Sequence, residues 1–248
     1  MIDAVVTAGG RLSPSDARRF GTDVKALVHV GGRSLLAIVV SALRAAPETG
    51  RIIVVGPRQA QASTPGVDRW IDEFPTGEEN LIAALQAGTT DRILFSASDL
   101  PFVTRESFSN LVSRAGPDID AVYPIYRRAE FLQAYPDGRT RFASLADGDW
   151  TGGSAFVLNP APFLRNLHVV RQVFGARKSV FALASLLGPS LLLKFTVRQL
   201  RVADVERRAT AVLGVCVRAV TGADPALAMD CDDLTDLTYV HANEAAPT

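Results

Sequence analysis

Over the first 120 residues, short β-branched runs alternate with helical patterns, and each run stops at glycine or at an acid followed by proline. Ala4-Val5-Val6-Thr7 ends at Gly9-Gly10. Arg51 to Gly56 (RIIVVG) stops at glycine and proline, and Asp91 to Ala97 (DRILFSA) runs into Asp99-Leu100-Pro101. Helical spacing fills the intervals at Ser34 to Ala45 and Glu79 to Gly88, with another helix at Arg105 to Arg114 and a fourth strand at Asp120 to Pro124. Strand and helix in alternation imply a parallel sheet with crossover helices. Open sheets of this kind bind ligands outside the carboxyl ends of their strands. The pattern therefore predicts one α/β unit with a parallel sheet and crossover helices.

Beyond Pro124 the order loosens. Ser154 to Leu158 (SAFVL) reads as a strand preceded by Thr151-Gly152-Gly153, and helical patterns follow at Arg165 to Val173 and Ser179 to Leu187. Leu191 to Gln199 suits a strand as well as a helix. Asp204 to Leu213 reads as helix, Val215 to Val220 as strand, and Asp230 to Val240 as an acidic turn with a short helix, before a polar tail expected to fray. No internal repeat or low-complexity linker divides the 248 residues, a length at which one core can bury most of its apolar surface.

Lysine plus arginine equals aspartate plus glutamate, 26 each, so total charge recruits neither nucleic acid nor an acidic membrane, and any polyanionic ligand needs local basic groups. Two cysteines, Cys216 and Cys231, are too few for a disulfide framework. The start MIDAVVTAGG lacks the features of a signal peptide. Val180 to Leu193 is broken by Gly188 and Pro189, short of the roughly 20 residues that span a bilayer. The expectation is a cytoplasmic protein without nucleic-acid or membrane partners, with a homo-oligomer left open.

Three features could carry chemistry. Glycines after a strand let backbone N–H groups approach a phosphate, although a GG pair alone also suits a plain tight turn. Arg11, Arg18, Arg19 and Lys25 follow it and could meet the charge. The loop lacks both the GKS/T ending of a Walker A motif and the GxGxxG of a dinucleotide site. Asp99 stands just past an apolar strand, where a single carboxylate with waters and phosphate oxygens can hold Mg²⁺; an Asx-turn or helix cap is the alternative. The cluster Asp230, Asp232, Asp233 and Asp236 suits helix capping. If Leu227 to Cys231 were extended, Asp230 and Asp232 would share a face. His29, His168 and His241 lack metal-ligand spacing, and no Ser-His-Asp arrangement is legible.

Taken in order, AVVTAGG with VKALVHVGGRSLL, IIVVG, ILFSASDLPFVT, TGGSAFVLNP and AMDCDDLTDL resemble the MobA-like nucleotidyltransferases. That group includes the molybdenum-cofactor guanylyltransferases and is related to sugar-1-phosphate and isoprenoid nucleotidyltransferases. The resemblance implies the nucleotide-diphospho-sugar transferase fold, a single three-layer α/β/α Rossmann-like domain with a mostly parallel mixed sheet, over residues 1–248, with residues 1–125 binding nucleotide and 126–248 binding the acceptor and completing the sheet. It implies an NTP and a phosphorylated small-molecule acceptor as partners and Mg²⁺ as cofactor. Ala8, Gly9 and Gly10 would contact the nucleotide, Lys25 its phosphates with Arg11, Arg18 or Arg19 in place of the family's loop arginine, and Asp99 with Asp232 or Asp230 the metal. Glu78 and Asn80 would line the base pocket, and Gly152, Gly153 and Asn159 the acceptor site. The sequence departs from the family's GG-x-G-x-R loop: Arg11-Leu12-Ser13-Pro14 follows the glycines, and Lys25 lies further on. A GT-A-type glycosyltransferase, which usually carries DxD at the strand end, and a non-catalytic nucleotide-binding module are the rival readings.

Overall fold

The computed structural model describes residues 1–176, 179, 182, 185–186 and 188–243. The first half alternates as expected: β1 (Ile2–Thr7), α1 (Pro14–Phe20), the small hairpin β2 (His29–Val30) and β3 (Arg33–Ser34), α2 (Leu35–Ala45), β4 (Thr49–Gly56), β5 (Arg69–Asp72), α3 (Gly77–Ala87), β6 (Ile93–Ala97) and α4 (Arg105–Ser113). The second half runs β7 (Ala121–Arg127), α5 (Arg128–Ala134), β8 (Ala143–Leu145), β9 (Gly148–Gly152), β10 (Ala155–Leu158), α6 (Pro160–Arg165), α7 (Leu167–Ala176), α8 (Pro189–Thr196), α9 (Val202–Leu213), β11 (Val217–Val220) and α10 (Leu234–Asn243).

The main sheet has the order β5-β4-β1-β6-β10-β7-β9-β8, with β11 also paired to β7. β5, β4, β1 and β6 are parallel, so their carboxyl ends share one edge; β10 runs antiparallel between β6 and β7. Ala4, Val5 and Val6 are fully buried because helices cover both faces of β1. One face packs against α2 and α4 through Val39, Leu43, Phe108 and Leu111; the other packs against α3, through Ala84 and Leu85.

Several readings needed tertiary context. Leu191 to Gln199 is helical over α8, with Pro189 at its first turn, where a missing N–H costs nothing. The helix read across Arg165 to Val173 is two helices that break at Asn166. Leu227 to Cys231 is not one extended strand, because Pro225–Ala228 forms a 3₁₀ turn. The helix read at Ser179 to Leu187 falls largely outside the described residues, as does the end of the tail, 244–248.

The sheet edge opposite the strands' carboxyl ends is fastened by Asp3, whose buried carboxylate accepts from Arg51 Nη2 (2.6 Å) and Thr89 N (2.8 Å). Burial opposes its charge, but the Arg51 hydrogen bond and the Thr89 amide prevail and hold the carboxyl below its usual range. Its contribution is thus present above the ordinary carboxylate pKa and is lost as pH falls through the lowered one. Asp3→Ala should cost about 1–3 kcal/mol at neutral pH, read by urea denaturation. The difference from the parent should shrink in acid; a constant difference down to strongly acidic pH would contradict this role.

Candidate active site

β1 delivers the chain to the glycine loop under tight packing. Ala8 N donates to Val55 O at 2.8 Å, and a Cβ on neighbouring Gly56 would lie 2.8 Å from the Ala8 Cβ. A Cβ on Gly9 would lie 2.8 Å from Asn80 Nδ2 and 3.1 Å from Glu73 Oε2. Neither Gly9 nor Gly10 has a positive φ, so these glycines provide room rather than an unusual turn. Asn80 is itself fixed, accepting from Phe74 N at 2.7 Å, so it cannot easily yield.

The long excursion after Gly10 closes on itself. Ser13 caps α1, Gly21 ends it at φ 68°, and the chain returns through Leu12 N to Asp23 O (2.9 Å) and Lys25 N to Gly10 O (3.0 Å). The insertion therefore leaves Lys25 beside Gly10, its stem 3.6–3.8 Å from where a Gly10 Cβ would be. Arg18 and Arg19 sit in the last turn of α1 and are exposed. Arg11 is drawn elsewhere. Its guanidinium donates to Gly9 O and Glu73 and pairs with Asp23 at 3.3 Å, lining a cleft of about 400 Å³ with Arg58 and Asp72. Its polar contacts do not include the carboxylates around Lys25.

Those carboxylates form the centre of the site. Lys25 Nζ is 3.2 Å from Asp99 Oδ2 and 2.5 Å from Asp232 Oδ1. Lys25 and Asp99 are mostly enclosed, with side chains 13% and 16% exposed, whereas Asp232 is 67% exposed. A main-chain bond, Cys231 N to Asp99 O at 2.9 Å, pins the C-terminal acidic segment against the end of β6. Cys231 is buried, while Asp232 turns outward and Asp230 lies half-buried, 3.5 Å from Ser154 Oγ. The two acids thus bracket a buried residue, although no strand holds them. Desolvation, with the neighbouring Asp99 and Asp232 carboxylates, pushes Asp230 up to about 7 against the opposing pull of Lys25. Desolvation disfavours the Lys25 charge, but Asp99 and Asp232 outweigh it and keep the ammonium protonated well above its usual range.

The other two acids serve the helix. Asp233 accepts from Thr235 N (2.8 Å) and Asp236 N (3.1 Å), while Asp236 accepts from Asp232 N (2.9 Å). Arg139 pairs with Asp233 at 3.2 Å. Capping therefore accounts for half of the cluster, and site geometry accounts for Asp230 and Asp232.

At the corner expected to hold an acceptor, Gly152 ends β9 beneath Tyr123: a Cβ there would collide with the Tyr123 hydroxyl, and one on Gly153 would lie 2.8 Å from Pro124 Cγ. Ser154 O accepts from Ala97 N at 2.9 Å, tying this corner to the strand before Asp99. Asn159 lies apart from this corner. Leu158 pairs with Ile93, at the start of β6, so Asn159 lies at the opposite sheet edge from Asp99, roughly 20 Å along the strand at about 3.3 Å per residue. There it caps α6 by accepting from Ala161 N at 3.1 Å. Glu78 and Asn80 also separate, because residues two apart on a helix do not face each other. Asn80 is buried under Gly9, and Glu78 pairs with Arg171 of α7 at 3.1 Å. Sequence reasoning missed Glu73, Ser154 and Tyr123 at this edge. Only Tyr123 carried a signal, an aromatic residue beside Val122 in a short strand.

A lysine beside a glycine loop, facing carboxylates from a strand end and a C-terminal segment, sits where a parallel α/β sheet places a phosphorylated ligand. The family model for the MobA-like NTP transferase domain matches residues 4–188. The chain belongs to this family. It is therefore a nucleotidyltransferase rather than a glycosyltransferase. A hypothetical transferase from Thermus thermophilus is 33% identical, with a TM-score of 0.83 over 95% of this chain and 98% of that one. A 2-C-methyl-D-erythritol 4-phosphate cytidylyltransferase, also from Thermus thermophilus, shares the fold at 18% identity and TM-score 0.59, covering 99% of both chains. So does a CMP:2-keto-3-deoxy-manno-octonic acid synthetase complexed with CTP, at 14% identity and TM-score 0.58, covering 98% and 97%. No curated protein matches the sequence. No helix among the described residues is long and apolar enough to cross a membrane.

Proposed function

We propose that this MobA-like nucleotidyltransferase moves a nucleoside monophosphate from an NTP to a phosphorylated small-molecule acceptor, with Mg²⁺ held by Asp99 and by Asp230 or Asp232. The observation that carries the reading is the charge balance at the end of β6: two carboxylates, Asp99 and Asp232, pair with one ammonium, and a third, Asp230, is crowded by both. Among the described residues no three metal-binding side chains converge into a cage. Mg²⁺ does not require one, since it is commonly held by one or two carboxylates, waters and substrate phosphates. The half-buried, charge-crowded Asp230 fits a dication in this way. When bound, Mg²⁺ would supply charge neutralisation for the phosphates.

The chain's own residues position and neutralise. An acceptor phosphate oxygen attacks the α-phosphorus, forming the new P–O bond as the α–β bridging bond breaks and pyrophosphate leaves. The attacking oxygen is already anionic, so the step needs no strong general base, and the absence of a histidine from the described site fits that chemistry. The permanently charged Lys25 offsets charge on the triphosphate, and Gly9 and Gly10 let it approach the backbone.

Asp230 supplies a pH signature. Its raised pKa means that, without metal, its contribution to stability is complete below the ordinary carboxylate pKa and is lost as pH rises through about 7. Metal binding must displace that proton, so Mg²⁺ affinity should fall roughly tenfold per pH unit below about 7 and level off above it. Calorimetry at about pH 6.5, in two buffers of different ionisation enthalpy, should register proton release when Mg²⁺ binds. Binding without proton release would remove Asp230 from the metal site. A thermal-shift series of NTPs with and without Mg²⁺ tests the donor: one base should raise the melting temperature most, and only fully with Mg²⁺. Equal shifts with and without the metal would contradict the reading.

A further inference from the structure

The balance of 26 basic and 26 acidic residues conceals a segregated charge. Residues 150–203, between Asp149 and Asp204, contain no aspartate or glutamate and seven lysines or arginines. The same stretch carries four of the seven large hydrophobic residues exposed among the described residues: Val173, Leu186, Leu193 and Val197. The two on α8 are not incidental edges of a core. α8, which reads PSLLLKFT, has no buried residue, and Leu193 and Val197 are 63% and 52% exposed, one turn apart and beside Lys194. Arg198 follows with no acidic partner among the described residues, and Asp204, the first acid after the stretch, already serves both Lys194 and Arg207.

We propose that α8 and the turn after it form a docking surface for an anionic lipid bilayer. Exposed leucine and valine beside Lys194 and Arg198, with the one acid Asp204 held by Lys194 and Arg207, match an interface where apolar side chains enter the headgroup boundary and basic side chains meet lipid phosphates. A second copy of the chain fits less well: a twofold contact through this patch would set a net-basic surface against its own image. Total charge offers no attraction to a membrane, so the proposal rests on how that charge is distributed. The surface is also coupled to the acceptor side. Leu200 O accepts from Ala146 N (2.8 Å) and Val202 N donates to Asp147 (3.1 Å), at the turn that leads through β9 to Gly152. A bound bilayer would therefore lie against the arm that carries the acceptor half of the site.

The test is co-sedimentation of the full chain with vesicles of phosphatidylcholine alone and with about one-third phosphatidylglycerol. Binding to the anionic vesicles should be roughly tenfold stronger and should collapse between about 0.1 and 0.5 M NaCl, as the screening length shortens to about half. Arg198→Glu should weaken it, and Leu193→Asp with Val197→Asp should abolish it, while the NTP-induced thermal shift stays at the parent value and shows that each variant is folded. Equal binding to neutral and anionic vesicles would overturn the proposal, as would no binding by folded parent protein. Light scattering that shows a dimer broken by Leu193→Asp would reassign the surface to self-association. Binding to polyglutamate but not to vesicles would reassign it to an acidic protein.

Discussion

Asp99→Ala is expected to lower nucleotidyl transfer by about 10³-fold while leaving the melting temperature close to the parent's. The two effects separate because Asp99 makes two contacts of different kinds. Its carboxylate meets Lys25 at 3.2 Å, facing the site, whereas its main-chain oxygen accepts from Cys231 N and anchors the C-terminal segment. Alanine deletes the first and keeps the second. It also removes one of the carboxylates that crowd Asp230, so the folded state is relieved of like-charge repulsion. Steady-state turnover at saturating NTP, together with a melting curve, checks both parts. Parent-like turnover would remove Asp99 from the machinery, and a collapse of the fold would make it structural.

Lys25→Met is expected to cost about 10²-fold or more in turnover and, unlike Asp99→Ala, to destabilise the protein in a pH-dependent way. Methionine keeps much of the stem that packs at Gly10 but withdraws the cation from Asp99 and Asp232, leaving Asp230 crowded by both. Asp232 is largely in water, so the loss should be below that of a fully buried pair, about 1–3 kcal/mol or roughly 3–10 °C near pH 8. Lys25 normally pulls the Asp230 pKa down, so its removal raises that pKa further and widens the range in which the site prefers a proton. Stability of the variant should therefore recover as pH falls towards about 5. Melting curves of parent and variant from about pH 5 to 8 read this directly; a deficit that stays flat or grows in acid would contradict it.

Three strands of the first half, β1, β4 and β6, were legible because they are buried on both faces and read as continuous apolar runs stopped by turn residues. β5, β8 and β9 were not, since RWID, ASL and GDWTG are short and become strands only because a neighbour offers hydrogen bonds. Asp99 and Lys25 were visible as residues in telling positions, but their meeting was not. It depends on the α1 excursion closing through two main-chain bonds, which no local pattern encodes. Asn159 shows the converse. An asparagine before proline at the end of a strand is a helix-cap signal, and that local chemistry, rather than position within a resembling motif, describes what it does. The acidic cluster divided along the same line: Asp233 and Asp236 followed capping rules, whereas Asp230 and Asp232 answered to a contact made with β6.

The site around Lys25 is most directly tested by pyrophosphate release from each of the common NTPs, paired with a panel of phosphorylated acceptors, for the parent and for Asp99→Ala. One NTP with one acceptor class should give stoichiometric pyrophosphate and a nucleoside-diphosphate-linked product, dependent on Mg²⁺ and nearly absent in the variant. Release that persists unchanged in Asp99→Ala would contradict the site. NTP binding with no pyrophosphate released from any pair would contradict the transfer itself.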